Sequence, residues 1–495
     1  NERFKITVDH YHLDLDQLPD WGIPTDPRIK RPFTESGLNR NNYYGIPNRD
    51  FQRGKQDITT ATTDIEFSDA VKMTNKSRFG YSLMDYIVGA PESVNLTNPN
   101  PNLWTATSSA KSRFQETQIA ANQTDFTLKF DTGVVKHTAI VGGEISRESL
   151  ERDTYTGLAT ESFGTTNGGV TLNLFGPNAS AIGFNGDPTV TGRPADVVVN
   201  SKSLYVLDTL NYNEWLFVNG GVRLDDYNIS ASSITTGALT RHDLLVNWNA
   251  GITYKPVPYG SFYFAYGTSS TPMGAEIDAG ASDYGALTAI NATLGPEKTT
   301  SAEIGTKWEL FDRHLLFTAA LFQNEKTGGR EQVNASLITA TGAYRIRGIE
   351  LGVSGNITKK WSVYGGVVFM DSEVTESFNP ANVGLHLANV GHQSFSLLSK
   401  YKVTDQLTVG GQATFKSEML AGTFAQNVGA SYNVLPSSWR FDALAEYEVN
   451  KWLTAKVNVN NIFDSLVYDA FYRSTNPFVY LSPGRVAYLT LTAKY

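Results

Sequence analysis

The 495-residue chain carries 49 acidic against 41 basic residues, a formal net charge of −8, and shows no basic run, which argues against a nucleic-acid partner. Cysteine is absent, so disulfide frameworks, zinc–thiolate sites and thiol nucleophiles are excluded together. No stretch approaches the ~18 uninterrupted apolar residues of a membrane helix, yet aromatic residues make up 12% of the chain beside 43 glycines, a composition that suits strands.

The chain opens on "NERFKITVDHYHLDLDQLPD", already inside an alternating segment rather than on a signal peptide. Period-2 alternation then recurs along the sequence. "SAEIGTKWEL" sets Ala302, Ile304, Trp308 and Leu310 against Glu303, Gly305, Lys307 and Glu309. "GIELGVSG" sets Ile349, Leu351 and Val353 against Glu350 and Ser354. "RFDALAEYEV" alternates in the same way with Leu444 as the exception, and "KWLTAKVNVNNIF" sets Leu453, Ala455, Val457 and Val459 against Lys456 and Asn458. The chain closes on "RVAYLTLTAKY", a strand ending on Tyr495 that is expected to pair with the first strand and close the sheet.

The connections are more informative than the strands. Short links are expected at Asn75–Lys76, Asp131–Gly133, Asn211–Asn213, Lys255–Pro258, Phe311–Arg313, Thr358–Lys360, Thr404–Asp405 and Asn450–Lys451. Longer Gly/Asn/Ser/Thr/Pro-rich links lie between them, near 19–59, 90–112, 151–198, 231–241, 270–299, 325–344, 372–391, 418–437 and 464–484. Strict alternation of short and long links predicts one rim of tight turns and one of long loops. This is the pattern of an all-β, transmembrane antiparallel β-barrel, here of about eighteen strands.

Several stretches resemble TonB-dependent outer-membrane siderophore receptors, more narrowly the catecholate-type ferric-siderophore receptor family. They are "YHLDLDQLPDWGIP" (Tyr11–Pro24), "NNYYGIPNRDFQRGKQDITTATTDIEF" (Asn41–Phe67), "QTDFTLKFDTGVVKHTAIVGGEISRE" (Gln123–Glu148), "YGSFYFAYGTSSTP" (Tyr259–Pro272), "EIGTKWELFDRHLLFTAALFQNEKT" (Glu303–Thr327), "RIRGIELGVSGNIT" (Arg345–Thr358) and "NNIFDSLVYDAFYRS…PGRVAYLTL" (Asn460–Leu491). They follow the family's order along the whole chain. The resemblance implies a Gram-negative outer-membrane location and a barrel of about 22 strands around an N-terminal plug. Against that pattern, residues 1–495 are expected to be the barrel domain, with the plug and the first strands missing. It also implies a receptor and transporter rather than an enzyme, energised through the TonB complex. Iron is carried as the siderophore chelate, with no cofactor of the protein's own, and the remaining partners are outer-membrane lipid and lipopolysaccharide.

A ferric catecholate is a compact anion with aromatic faces, so cations and aromatic rings are its natural ligands. The first long link concentrates both, including Trp21, Tyr43, Tyr44, Arg49 and Arg53. The candidate ligand-binding set is Tyr43, Tyr44, Arg49, Arg53, Trp104, Arg113, Tyr284 and Arg330. The competing expectation places Tyr and Trp in an interfacial girdle and Arg and Lys against lipopolysaccharide phosphates. His10 and His12 share one strand face, but no further metal ligands accompany them, and Asp14, Asp16 and Asp20 lack the spacing of a calcium loop. Two rivals remain open on the sequence: a passive porin-like diffusion channel, and an outer-membrane enzyme using one of His10, His12, His314, His386 or His392.

Overall fold

The structure, a computed structural model, describes residues 3–494 apart from 159–168, 179, 181, 185, 235–236, 276–286, 335–336, 422–432 and 473–476. Among the described residues one wall of eighteen antiparallel strands dominates. Its strands are β1 (Phe4–Gln17), β2 (Phe51–Ser68), β3 (Val71–Asn95), β4 (Thr105–Thr132), β5 (Val135–Asp153), β6 (Ala195–Tyr212), β7 (Leu216–Ser233), β8 (Gly237–Val257) and β9 (Gly260–Thr271). The wall continues through β10 (Glu297–Leu310), β11 (Leu315–Asn334), β12 (Leu337–Asn356), β13 (Trp361–Glu376), β14 (Gln393–Lys402), β15 (Leu407–Lys416), β16 (Ser438–Asn450), β17 (Leu453–Asn460) and β18 (Val486–Ala493). Each strand hydrogen-bonds to the next in sequence, the meander that tight turns and long loops permit.

The register carries one face of the alternation coherently around the wall. Leu453, Ala455 and Val457 lie opposite Ala493, Leu491 and Leu489, while Lys456 lies opposite Thr490. On β8 the outward set Leu244, Val246, Trp248, Ile252 and Tyr254 is exposed, and Leu489 is 67% exposed. Such a continuous apolar belt is untenable in water and is satisfied by lipid. At the rim of tight turns the belt ends in rings in mutual contact, Trp215 with Tyr212 and Tyr254 at 5.4 and 5.7 Å and Tyr259 with Trp308 at 6.3 Å. That rim is the expected aromatic girdle. The opposite face is polar, with Tyr263 donating to Glu303 and Tyr205 donating to Asp125.

Seven of the expected short links are turns within two residues of their expected places. The Asn75–Lys76 turn is not, and the chain reverses at Asp69–Ala70 instead. There the Ser68 hydroxyl accepts from the backbone N–H groups of Ala70 and Val71 at 3.3 and 3.2 Å, a side-chain turn with no glycine or proline to announce it. Asn75 lies inside β3, and its amide bonds across to Asn122 and Thr124.

Three expected loops also shrink. Strand replaces most of 231–241 and 325–344, and the loop expected over 90–112 is confined to 96–104. β4 runs for 28 residues, where ~9–11 cross a bilayer, so the wall stands well beyond the lipid on the loop side and polar residues there are ladder, not loop.

The expected closure between the first and last strands differs from the structure. β1 is laddered along its length to β2, and β18 to β17, and no ladder joins β1 to β18 among the described residues. Tyr495 lies outside the described residues.

Candidate functional site: the mouth at the long-loop rim

The first and last long loops are tied into one unit by a small sheet. Ile23–Asp26 pairs with Phe478–Leu481 through Ile23 opposite Val479, and with Arg31–Pro32 through Asp26 opposite Arg31. Phe478–Leu481 pairs in turn with Tyr468–Phe471. Gly22 leads into this sheet at φ +83°, and a Cβ there would sit 1.9 Å from the Val479 carbonyl oxygen, so only glycine fits. Beneath lies an apolar core in which Ile23, Phe33, Tyr44, Ile46, Leu174 and Val479 are fully buried.

Buried polar groups lock the first loop into this core. The Asp26 carboxylate accepts from Arg28 through its backbone N–H (2.9 Å), Nε (2.9 Å) and Nη2 (2.5 Å), and from the Ser36 hydroxyl at 2.6 Å. Held this way, the Arg28 guanidinium lies 4.5 Å from the centre of the Trp104 ring. Arg49 and Asp50 form a fully buried ion pair at 2.8 Å, and Asp50 also accepts from the N–H groups of Ile46 and Gly89. Tyr44 donates to the Leu174 carbonyl at 2.6 Å.

The expected ligand residues are therefore dispersed. Tyr44 and Arg49 are built into the loop core. Tyr43 lies beside them, its hydroxyl buried with no hydrogen-bond partner among the described residues, and burial together with the nearby Asp50 raises its pKa. Arg53 stacks 4.6 Å over Phe51 and lies 3.6 Å from Asp16. Trp104 donates its indole N–H to Asn98 at 2.8 Å. Arg330 is buried on another part of the rim, donating to Pro272 and lying 3.9 Å from Glu297. Tyr284 falls outside the described residues.

Arg113 has the most suggestive surroundings. It stands directly opposite Tyr86 in the ladder, on the face turned away from the apolar belt. Tyr86 belongs to an aromatic group that composition alone did not single out. Trp21 is its hub, with ring centroids 5.8 Å from Tyr86, 5.8 Å from Tyr472, 6.1 Å from Phe478 and 6.4 Å from Tyr480. Tyr472 stacks on Phe478 at 4.6 Å. Burial, with Tyr472 and Tyr86 adjacent, pushes the Tyr480 phenol up to about 12, so it remains a neutral donor. The signal in the sequence was the aromatic density of "YDAFYRS" and "FVYL" in the last long link. Three segments far apart in the chain thus place four half-buried rings, and a fourth segment a guanidinium, at the inner side of the mouth, suited to a flat-faced anion.

His12 bonds Asp57 at 2.7 Å and His10 bonds Thr59 at 2.9 Å on the outward face of β1. Among the described residues no cluster of three or more His, Asp or Glu is arranged to hold a metal ion.

The family model described as TonB dependent receptor-like, beta-barrel, matches residues 3–462. The chain is 33% identical to the probable TonB-dependent receptor BfrD of Bordetella pertussis and 30% identical to the probable TonB-dependent siderophore receptor PiuA of Acinetobacter baumannii, in both cases over 99% of this chain and 68% of the relative. It is 28% identical to the catecholate siderophore receptor Fiu of Escherichia coli K12, over 93% of this chain and 64% of that protein. The crystal structure of PiuA superposes with a TM-score of 0.90 at 28% identity, covering all of this chain and 72% of that one. The closed form of Fiu superposes at 0.87 and 25% identity, covering 99% and 72%. The chain spans about two thirds of the length of these relatives, and it belongs to the TonB-dependent receptors, whose β-barrel domain it matches.

Proposed function

We propose that this chain is the barrel of an outer-membrane receptor that takes up an iron–siderophore complex of the catecholate type, energised through TonB, with the iron as cargo. The family sets aside the passive porin. The observation that carries the ligand class is the Trp21–Tyr86–Tyr472–Tyr480 group with Arg113 across the ladder, since rings and a guanidinium match the faces and charge of a ferric catecholate. Two relatives named as siderophore receptors, PiuA and Fiu, support the same reading. Tyr44 and Arg49 act in this reading as supports of the loop rather than ligands, because their polar atoms are engaged inside its core.

The test is titration of the full-length receptor with a ferric catecholate, followed by quenching of tryptophan fluorescence. Replacing Tyr86, Tyr472 and Arg113 together by Ala, Ala and Gln is expected to weaken binding by about 2 kcal/mol or more, roughly thirtyfold. Trp21→Phe should remove a large part of the quenching. Unchanged affinity in the triple variant would place the ligand elsewhere.

A further inference from the structure

The connection from β13 to β14 first runs back along β13. Gly384 donates its backbone N–H to the Val374 carbonyl and Val374 donates to that of Leu385, both at 2.9 Å. Leu387 donates to the Ser372 hydroxyl at 3.1 Å, and Met370 donates to the His392 carbonyl at 2.8 Å. This path brings the side chains of His386 and His392 together. Their ring centres are 4.7 Å apart and their planes nearly perpendicular, at 87°. His392 lines a groove with the outward residues Ile304, Ile349 and Phe369. Asp371, two residues beyond Phe369 on the same face, lies 3.6 Å from His386, so both rings stand outside the wall where the apolar belt ends.

The backbone sets the tautomer of each ring. His386 Nδ1 is 2.7 Å from the Ser372 carbonyl oxygen, and His392 Nδ1 is 3.3 Å from that of Met370. A carbonyl oxygen only accepts, so both Nδ1 atoms carry the hydrogen and donate it, and both Nε2 atoms keep a free lone pair. An Nδ1–H bonded to a backbone carbonyl is the arrangement that orients a metal-ligating imidazole. Neither Nε2 has a hydrogen bond or ion pair among the described residues. The Asp371 carboxylate faces the Nδ1 side of His386 and lies 3.6 Å from Arg347, so the chain supplies two ligands rather than three.

A metal held about 2.0–2.1 Å from two imidazole nitrogens keeps the ring centres about 4.5 Å apart at a right angle and about 5.2 Å apart at a tetrahedral one. The observed 4.7 Å is nearer the right angle, which separates neighbouring positions of a tetragonal ion. We propose that His386 and His392 bind a divalent transition-metal ion through their Nε2 atoms, copper(II) in preference to nickel(II) and zinc, with water at its remaining positions. Copper leads because it favours tetragonal nitrogen sites and binds them most tightly of the three. The bound ion closes the 386–392 turn. At the tip of that turn is Asn389, with φ +56°. Its side-chain amide donates to the Phe471 carbonyl at 3.0 Å, and its Oδ1 accepts from the Phe471 N–H at 2.9 Å. Fixing the base of the turn therefore steadies the last long loop beside Tyr472. The inference is independent of the siderophore reading, in which neither histidine takes part.

The experiment is titration of the full-length, tag-free receptor, stripped of metals and free of siderophore, with copper(II) alone, read by electron paramagnetic resonance. A bound ion with two imidazole nitrogens is expected. His386→Gln and His392→Gln should each weaken its binding at least tenfold and leave one nitrogen, while His10→Gln/His12→Gln should leave affinity and spectrum unchanged. In the unaltered protein copper should also shield His386 and His392 from acylation by diethyl pyrocarbonate, a readout that needs no variant. Nickel(II) should slow hydrogen exchange across 384–392 at least threefold, and not in His386→Gln. Unchanged binding in both single variants, equal acylation with and without copper, or loss of the site in the His10/His12 variant would overturn the proposal. Exchange that ignores the metal would overturn the closing of the turn.

Discussion

Asp26 is fully buried in a loop and yet ionised. Burial works against its charge, but hydrogen bonds from Arg28 and Ser36 outweigh it and hold the carboxyl below its ordinary value of 3.8. Each such bond to a charged group contributes roughly 1.5–3 kcal/mol, so this one residue fixes Arg28 over Trp104 and with it the descent of the first loop. Because the pKa is lowered on folding, the stabilisation is complete above the ordinary value and is lost as pH falls below 3.8 through the folded value. Limited proteolysis with an acid-active protease is therefore expected to spare 18–50 at pH 6 and to cut there only as the pH is lowered well below 3.8, whereas Asp26→Asn should be cut already at pH 6. Protection of Asp26→Asn equal to that of the unaltered protein at pH 6 would contradict this. The same scale explains why Tyr44 and Arg49 read as ligands in the sequence. Composition reports that a loop is rich in rings and cations, but not which of them its own carboxylates and carbonyls consume.

At the scale of the strand, alternation is the reliable quantity, because successive side chains point to opposite faces and a one-residue slip would turn every apolar residue inward. The pairs Val457–Leu489 and Lys456–Thr490 have the faces that alternation predicts. Cysteines at Val457 and Leu489 are expected to resist a water-soluble thiol reagent in a bilayer, whereas those at Lys456 and Thr490 should react. Leu491→Arg should destabilise the barrel by about 2–4 kcal/mol if it lies near the bilayer midplane, read from denaturant titration in lipid. Strand ends are less legible. The Asp69–Ala70 turn rests on one serine hydroxyl, and Asn75 has turn-like neighbours in sequence but satisfies its amide across a ladder.

Across the whole molecule, the decisive contact joins residues more than 450 positions apart. Val479 is fully buried and pairs with Ile23, so the first and last long loops share one core. A carboxylate placed there has no partner and costs several kcal/mol. Val479→Asp should consequently open both 18–50 and 461–485 to protease together and weaken ferric catecholate binding, since Trp21 and Tyr480 sit on those two loops. Cleavage of only one loop would show that they fold independently. We propose, on the same contacts, that residues 1–495 act as one barrel domain.

The sequence by itself determined the all-β class, the alternation of tight turns with long connections, the lipid-facing set and the family, because each is written in local period and spacing. It also predicted that the first long link would carry rings and cations. Tertiary structure alone decided which of these line the mouth. Trp21, Tyr86, Tyr472 and Tyr480 come from three separate segments, and only the ladder and the loop-to-loop sheet bring them within 6.4 Å of the Trp21 hub. The edges of the wall were decided there too: alternation makes a strand able to pair, but whether β1 and β18 meet depends on the strand number, tilt and stagger of the entire sheet, a global quantity that no local window contains.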